Sequence, residues 1–312
     1  MNKTERRERG PIESCVIEDI SRLSKLDIRT LPTRTLPSGY IMCRPDHFCV
    51  QYEINQLMKG NTGQVNRSEA ILQWMRLRDI LRDRCRVTEI PAEEKYPDMV
   101  FAANGALTFA QGGKRYAIMV CMKDWQRKGE WRHYGIHLSR FRYELLYLSE
   151  NVCFEGEGDA RFDPERKLLW AGYGFRSSRR SHPVVSALLK MPVVPLRLVD
   201  RRFYHLDTCF LPFLADGRRG VMYYPDAFDA ASLAMIRQAF SAEDRIEVSE
   251  EEASHYACNA PVIGSYVVMP EGAPMAAGAL KERGFEVNTT PMSEFLKAGG
   301  GAKCLVLEDY WT

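Results

Sequence analysis

Cys304 lies in the run Ala298-Gly299-Gly300-Gly301-Ala302-Lys303-Cys304-Leu305. Three consecutive glycines free the backbone for positive φ or for close approach to a ligand. A cation beside an exposed thiol favours the thiolate, the form that attacks carbon. The alternative is a small buried hydrophobe, the usual fate of cysteine in a reduced protein. His205-Leu206-Asp207 follows the aromatic pair Phe203-Tyr204. Residues two apart in an extended segment share a side, so a histidine and a carboxylate would face one cavity; the alternative is a surface turn with a local ion pair. Phe154-Glu155-Gly156-Glu157-Gly158-Asp159 sets three carboxylates among glycines after a short apolar run. That is a grip for a cation, or else a solvated acidic turn. A hard metal ion requires more oxygen ligands at fixed spacing, so no metal is expected.

Asn104-Gly105, after the run Pro97 to Ala103, marks a tight turn and reads alone as an ordinary hairpin. Cys258, between His255-Tyr256-Ala257 and an apolar hairpin, is the rival thiol and reads as buried. His47, His133, His137, His182 and His255 have no matching carboxylate arrangement and read as structural or exposed. A cysteine, a histidine and carboxylates far apart in sequence define one kind of covalent site. The acids outnumber those of a papain-like protease. They suit a cationic substrate whose charge is held during attack. Guanidinium is the natural candidate, because its planar fork pairs with carboxylates in bidentate fashion.

Positioning such groups falls to alternating strands and helices from Tyr40 onward. Strands are expected at 41–44, 85–90, 99–109, 116–121, 152–154, 168–171, 193–199, 220–224, 245–248, 285–289 and 303–307. Helices are expected from Asn66, over 133–148, 184–190, 230–240 and 275–283, with a hairpin over 261–269 turning at Ile263-Gly264-Ser265-Tyr266. The rhythm of strand, helix, strand, strand indicates α/β modules. No G-x-G-x-x-G and no G-x-x-x-x-G-K-[ST] occurs, which disfavours a doubly wound nucleotide fold. Ile17, Ile20, Leu23 and Leu26 have helical spacing within an extension, and the Pro-rich stretch Leu31 to Gly39 reads as a linker. The expected division is an extension and linker over 1–39 and a single catalytic domain over 40–312.

The 312 residues are 45% hydrophobic and 27% charged, with a net charge of +2. Bulk electrostatics therefore give no reason to expect nucleic acid or a membrane surface as partner. No apolar run approaches the ~20 residues of a membrane span. The charged residues 1–10 lack a following apolar core, so no signal peptide is expected. Nine cysteines without C-x-x-C pairs fit a reducing, cytoplasmic compartment and argue against disulfides or thiolate zinc. The expected partner is a small guanidino molecule, with a homo-oligomer left open.

Several motifs together resemble the guanidino-group-modifying enzymes. They are Glu155-Gly156-x-Gly158-Asp159, Leu169 to Arg176, Phe203 to Thr208, Ala257-Cys258-Asn259-Ala260 and Phe295 to Leu305. This superfamily includes dimethylarginine dimethylaminohydrolases, arginine deiminases, arginine dihydrolases and amidinotransferases. The resemblance implies a five-bladed α/β propeller, the pentein fold, with a central site. It implies Cys304 as nucleophile, His205 as general acid and base, and Glu155 as the group that orients His205 and holds substrate charge. It makes Asp207 the grip on guanidinium nitrogens, joined by Asp159 in the substrate site. It makes Arg176 and Arg127 binders of an amino-acid carboxylate, and likens Asn55 and Asn104 to positions of arginine dihydrolases. Neither metal nor organic cofactor enters this chemistry. Hydrolysis of arginine to ornithine, ammonia and carbon dioxide is expected ahead of citrulline formation. Amidino transfer, dimethylarginine hydrolysis and a non-catalytic pentein binding protein are the alternatives.

Overall fold

Parallel neighbours in a sheet need a crossover connection, whereas antiparallel ones need only a short turn. The chain uses both in a fixed order. The computed structural model describes residues 15–25, 31, 35–149, 152–215 and 217–311. Its strands are β1 (Gly39–Cys43), β2 (Arg86–Ile90), β3 (Ala106–Gln111), β4 (Lys114–Met119), β5 (Tyr143–Tyr147), β6 (Ala160–Phe162), β7 (Leu169–Tyr173), β8 (Val193–Arg197), β9 (Phe210–Ala215), β10 (Arg218–Tyr223), β11 (Arg245–Glu247), β12 (Val262–Ile263), β13 (Tyr266–Pro270), β14 (Glu286–Thr290) and β15 (Val306–Asp309). The helices are α1 (Arg67–Arg82), α2 (Glu130–Arg140), α3 (Ser181–Leu189), α4 (Ala230–Ala239), α5 (Glu250–Ser254), α6 (Pro274–Lys281) and α7 (Ser293–Leu296).

Five three-stranded sheets result: β3-β4-β5, β6-β7-β8, β9-β10-β11, β12-β13-β14 and β15-β1-β2. In each, the first pair is antiparallel and the second parallel. The parallel pairs are joined through α2, α3, α4, α6 and α1 respectively. This mixed α/β fold has a pseudo-fivefold arrangement. Its last sheet is completed across the sequence, Met42 pairing with Val306 and Gly39 with Asp309.

Local chemistry accounts for the helices. Asn66 caps α1 by accepting from the Glu69 amide at 3.2 Å. Ala70, Trp74, Leu77 and Leu81 recur at helical spacing and are buried. The hairpin turn at Gly264-Ser265 joins Ile263 to Tyr266, with Gly264 at φ +57°.

The structure departs from the expected elements at several places: residues 152–154 are no strand, and Phe154 makes only an isolated bridge to Cys121. Residues 99–109 are not one strand: two 3-10 turns, Pro97–Val100 and Ala102–Asn104, precede β3, and the hairpin turns later, at Gly112-Gly113. The helix expected over 133–148 ends at Arg140, and Tyr143–Tyr147 is strand. Strand β9 carries Pro212, which a sheet tolerates because β9 is an edge strand. The final strand begins at Val306 rather than at Lys303, which lies in a turn.

Residues 15–25 do not stand apart. Val16 bridges Val193 in parallel, extending the β8 edge, and Ile17 and Ile20 are buried in the largest core cluster. Leu26 of the expected helical stripe lies outside the described residues, as do residues 1–10.

Candidate active site

Each sheet's first strand is preceded by a tight turn, and these turns carry the polar centre. Asn104 closes the 3-10 turn before β3. Glu155 and Glu157 flank Gly156 in the turn before β6. His205 and Asp207 lie in the turn before β9. Asn259 precedes β12, and Cys304 precedes β15. Five segments remote in sequence thus deliver their side chains to one place.

His205 Nε2 lies 2.8 Å from Glu155 Oε2, with both residues buried. The other Glu155 oxygen accepts from the Lys123 amide at 3.1 Å. Arg176 Nη1 stands 3.6 Å from Glu155. Burial alone would push the Glu155 carboxyl up; the Arg176 charge, the His205 hydrogen bond and Arg127 outweigh it and hold Glu155 well below the usual carboxylate range. Glu155 is therefore an anion, suited to orient an imidazole and to face a cation.

Cys304 Sγ accepts from Asn259 Nδ2 at 3.1 Å and stands 3.5 Å from Asp207 Oδ2. Asn259 Oδ1 in turn accepts from the Cys304 amide at 3.1 Å. Asn259 thus holds the cysteine from two sides. Burial, then the Asp207 charge, pushes the thiol well above its ordinary value, against the Gly301 backbone and Asn259 hydrogen bonds. Burial also raises the Asp207 carboxyl, while His205, Lys303 and Arg161 oppose it. Asp207 Oδ1 is buried without a hydrogen-bond partner. An unmet buried acceptor beside a thiol is a place for a cation's N–H donor.

The remaining candidates divide by what their polar atoms already hold. Asn104 is gripped between Glu155 O, to which its Nδ2 donates at 3.4 Å, and Arg127 Nη1, from which its Oδ1 accepts at 3.0 Å. Arg127, read as a carboxylate binder, spends its fork on Glu130 through two 2.8 Å bonds and donates to Asp98 O at 3.2 Å. In this arrangement it positions Asn104. Asp159 accepts from the Leu206 and Ser177 amides at 3.1 and 3.0 Å, so it braces two turns. Asn55 accepts from the Leu57 and Met58 amides and donates to Ala298 O, a loop tie at the edge of the site. Arg176 pairs with Asp124 at 2.8 Å, donates to Ile54 O at 3.1 Å and lies over the Tyr204 ring. Asn55, Asp124, Arg176 and Tyr204 bound an open cavity of about 550 Å³. Cys304 itself is 3% exposed and is linked to this wall through Tyr204, whose Oη donates to Gly299 O at 2.7 Å in the glycine run before the cysteine.

Three expectations are corrected. Lys303 does not face the thiol: its ammonium is buried on Glu157 at 2.8 Å and on Val306 O at 3.0 Å. The three glycines admit protein rather than ligand. A Cβ at Gly299, Gly300 or Gly301 would meet Tyr204 Oη at 2.7 Å, the Phe101 ring at 2.2 Å or Asn259 Oδ1 at 2.7 Å. Only Gly299 of the three has positive φ, at +80°. Cys258 is buried, as expected. His133 does have a carboxylate, Glu93 at 3.0 Å, on a half-exposed surface. No group of three or more potential metal ligands is found among the described residues. Asn259, absent from the expected site residues, belongs to the site through its two bonds to Cys304. Its signals were its place in the Ala257-Cys258-Asn259-Ala260 motif and in the turn before a strand, matching Asn104.

Comparison with known proteins follows the same geometry. Residues 44–310 match the family described as N,N dimethylarginine dimethylhydrolase, eukaryotic. The bifunctional arginine dihydrolase/ornithine cyclodeaminase AgrE of Nostoc sp. is 40% identical over 268 residues, 86% of this chain and 37% of that protein. The chain thus spans little more than a third of such relatives' length. The N(G),N(G)-dimethylarginine dimethylaminohydrolase of Mycobacterium tuberculosis is 37% identical over 280 residues, 89% of this chain and 88% of that protein. The substrate-bound crystal structure of a mutant N-terminal domain of ArgZ, an arginine dihydrolase from the ornithine-ammonia cycle in cyanobacteria, gives a TM-score of 0.83 at 40% identity. It covers 86% of this chain and 97% of that one.

Proposed function

This chain belongs to the N,N-dimethylarginine dimethylhydrolase family, and from that premise we propose that it hydrolyses the guanidino group of free arginine through a covalent Cys304 intermediate. The observation that carries the proposal is the pairing of two units in one buried centre. Cys304 is held by Asn259 beside Asp207, and His205 is held by Glu155. Residues 40–312 form one catalytic domain in this reading, with residues 1–39 as an extension partly built into it. The five sheets are the blades of one closed five-bladed ring around the site.

The chemistry follows from charge and proton inventory. Asp207, with its unmet oxygen, and the anionic Glu155 neutralise the planar guanidinium and fix it above the sulfur. The substrate cation offsets the Asp207 charge that holds the thiol high, so thiol ionisation is coupled to binding. The sulfur adds to the guanidinium carbon. His205 delivers a proton to the departing nitrogen, ammonia leaves and a thiouronium remains on Cys304. His205 then takes a proton from water, which attacks that carbon as the C–S bond breaks. Arg176, at the mouth, receives the amino-acid carboxylate when Asp124 yields it. Asn104, fixed between Arg127 and the Glu155 carbonyl, is placed to hold a ureido or guanidino group for a second hydrolysis. The favoured outcome is ornithine, carbon dioxide and two ammonia molecules per arginine.

The likeness to the mycobacterial enzyme over most of its length supports dimethylarginine as the second reading. Product analysis separates the two. Incubation with arginine should yield ornithine and ammonia without an added amine acceptor. Turnover of dimethylarginine with arginine inert would shift the assignment. Amidino transfer to glycine without ammonia release would remove the hydrolase reading.

A further inference from the structure

Beyond the tight turns of the site, the same first strands bound a second cavity. Its volume is about 190 Å³, and it is lined from β6, β9, β12 and β15 together with Leu36 and Pro37. The walls are largely apolar: Phe162, Pro212, Leu214 and Ile263 are among them. Among the described residues of this lining, Arg161 is the cation. It is 7% exposed, and its Nε is buried without a hydrogen-bond partner. Among the described residues no ion pair holds its guanidinium. Glu308 also borders the cavity, but its carboxylate is engaged by Tyr310 Oη at 2.9 Å. A buried cation without an acceptor is costly, and structures ordinarily pair such groups. Arg127 and Arg176, the other buried arginines among the described residues, each have a carboxylate within 4 Å.

We propose that this cavity is a binding site for a small monocarboxylate with an apolar body, its carboxylate on Arg161 and its hydrocarbon against the strand walls. The guanidinium fork matches a carboxylate in bidentate geometry. The volume equals roughly six water molecules of liquid, room for a short branched acid and little more. Apolar walls reward a hydrocarbon group and give inorganic anions nothing beyond charge.

Isothermal titration calorimetry of the intact chain with isovalerate, isovaleramide and inorganic phosphate at constant ionic strength tests this. Isovalerate should bind saturably. Isovaleramide and phosphate should each bind at least about tenfold more weakly, the loss of one charge-assisted contact or of the apolar one. Arg161→Met should weaken isovalerate by a similar factor. Ile263→Trp, which fills the cavity and keeps the cation, should do the same and decides the matter if Arg161→Met fails to fold. Arg176→Gln should leave isovalerate affinity unchanged. Equal binding of acid and amide, equal binding of phosphate, retention in the cavity-filling variant, loss in Arg176→Gln or no saturable binding would each overturn the proposal.

Discussion

At the residue scale, the thiol is the group whose state the surroundings control most tightly. Burial and Asp207 hold Cys304 in its protonated form, and removing either influence must lower its pKa. Asp207→Asn should therefore shift the pH-dependence of iodoacetamide alkylation at Cys304 to lower pH. A shift upward would reverse the assigned sign. Asn259→Ala removes the hydrogen bond to sulfur and the tie to the Cys304 amide. It should lower kcat by about 10²-fold, as loss of one preorganised donor does, with little change in KM. The residue types of this centre were legible in the sequence. Cysteine, histidine and acids separated by long stretches already implied a covalent site for a cation. Their neighbours were not legible. Lys303 adjoins Cys304 in sequence, yet its partner is Glu157, and only the fold places those two together.

At the scale of elements, the turn before each first strand is the unit that carries the polar centre. The turns are tied to one another by buried polar links. Lys303–Glu157 joins the Cys304 turn to the Glu155 turn, and Thr108 Oγ1 and the Glu308 amide are the further donors to the Glu157 carboxylate. Lys303→Met would strand a buried carboxylate and should destabilise the fold by about 3–5 kcal/mol. Adding Glu157→Met should restore much of that loss in denaturant unfolding; simple additivity would show that the pair is not coupled. Asp159 braces two turns, and burial lifts its carboxyl to about 6, against His205 and Ser177. The native state then binds more protons than the unfolded chain between about pH 4 and 6. This group's contribution to stability falls as pH rises through that window and is flat above it. Chemical unfolding from pH 4 to 7 should show a shallower fall in Asp159→Asn than in the parent. The sequence showed that Asn104-Gly105 and the acid-glycine run were turns. It hid that all five turns are equivalent, because periodicity reports which face is buried and not which strand follows. Pro212 concealed β9 for a related reason, since an edge strand can carry a proline that a central one cannot.

At the scale of the whole molecule, two long-range joins make the arrangement. β15 pairs with β1, and residues 15–17 extend the β8 edge. The first brings Cys304 against segments from the far end of the sequence. The second seats Ile17 and Ile20 among Trp170, Phe210 and the α4 side chains of the core. Ile17→Ala should cost about 2–5 kcal/mol in thermal or denaturant unfolding, as for other fully buried aliphatic truncations. A change within a few tenths would show the segment to be a loose tail. The module rhythm was expected from sequence. The role of residues 15–25 was not, because short apolar spacing cannot say what it packs against. The most direct test of the account is acid-quenched mass spectrometry of the chain during turnover of arginine. The account predicts a transient amidino-derived adduct confined to the Cys304 peptide and absent from Cys304→Ser. Turnover without any adduct there, or an adduct on Cys258 instead, would contradict it.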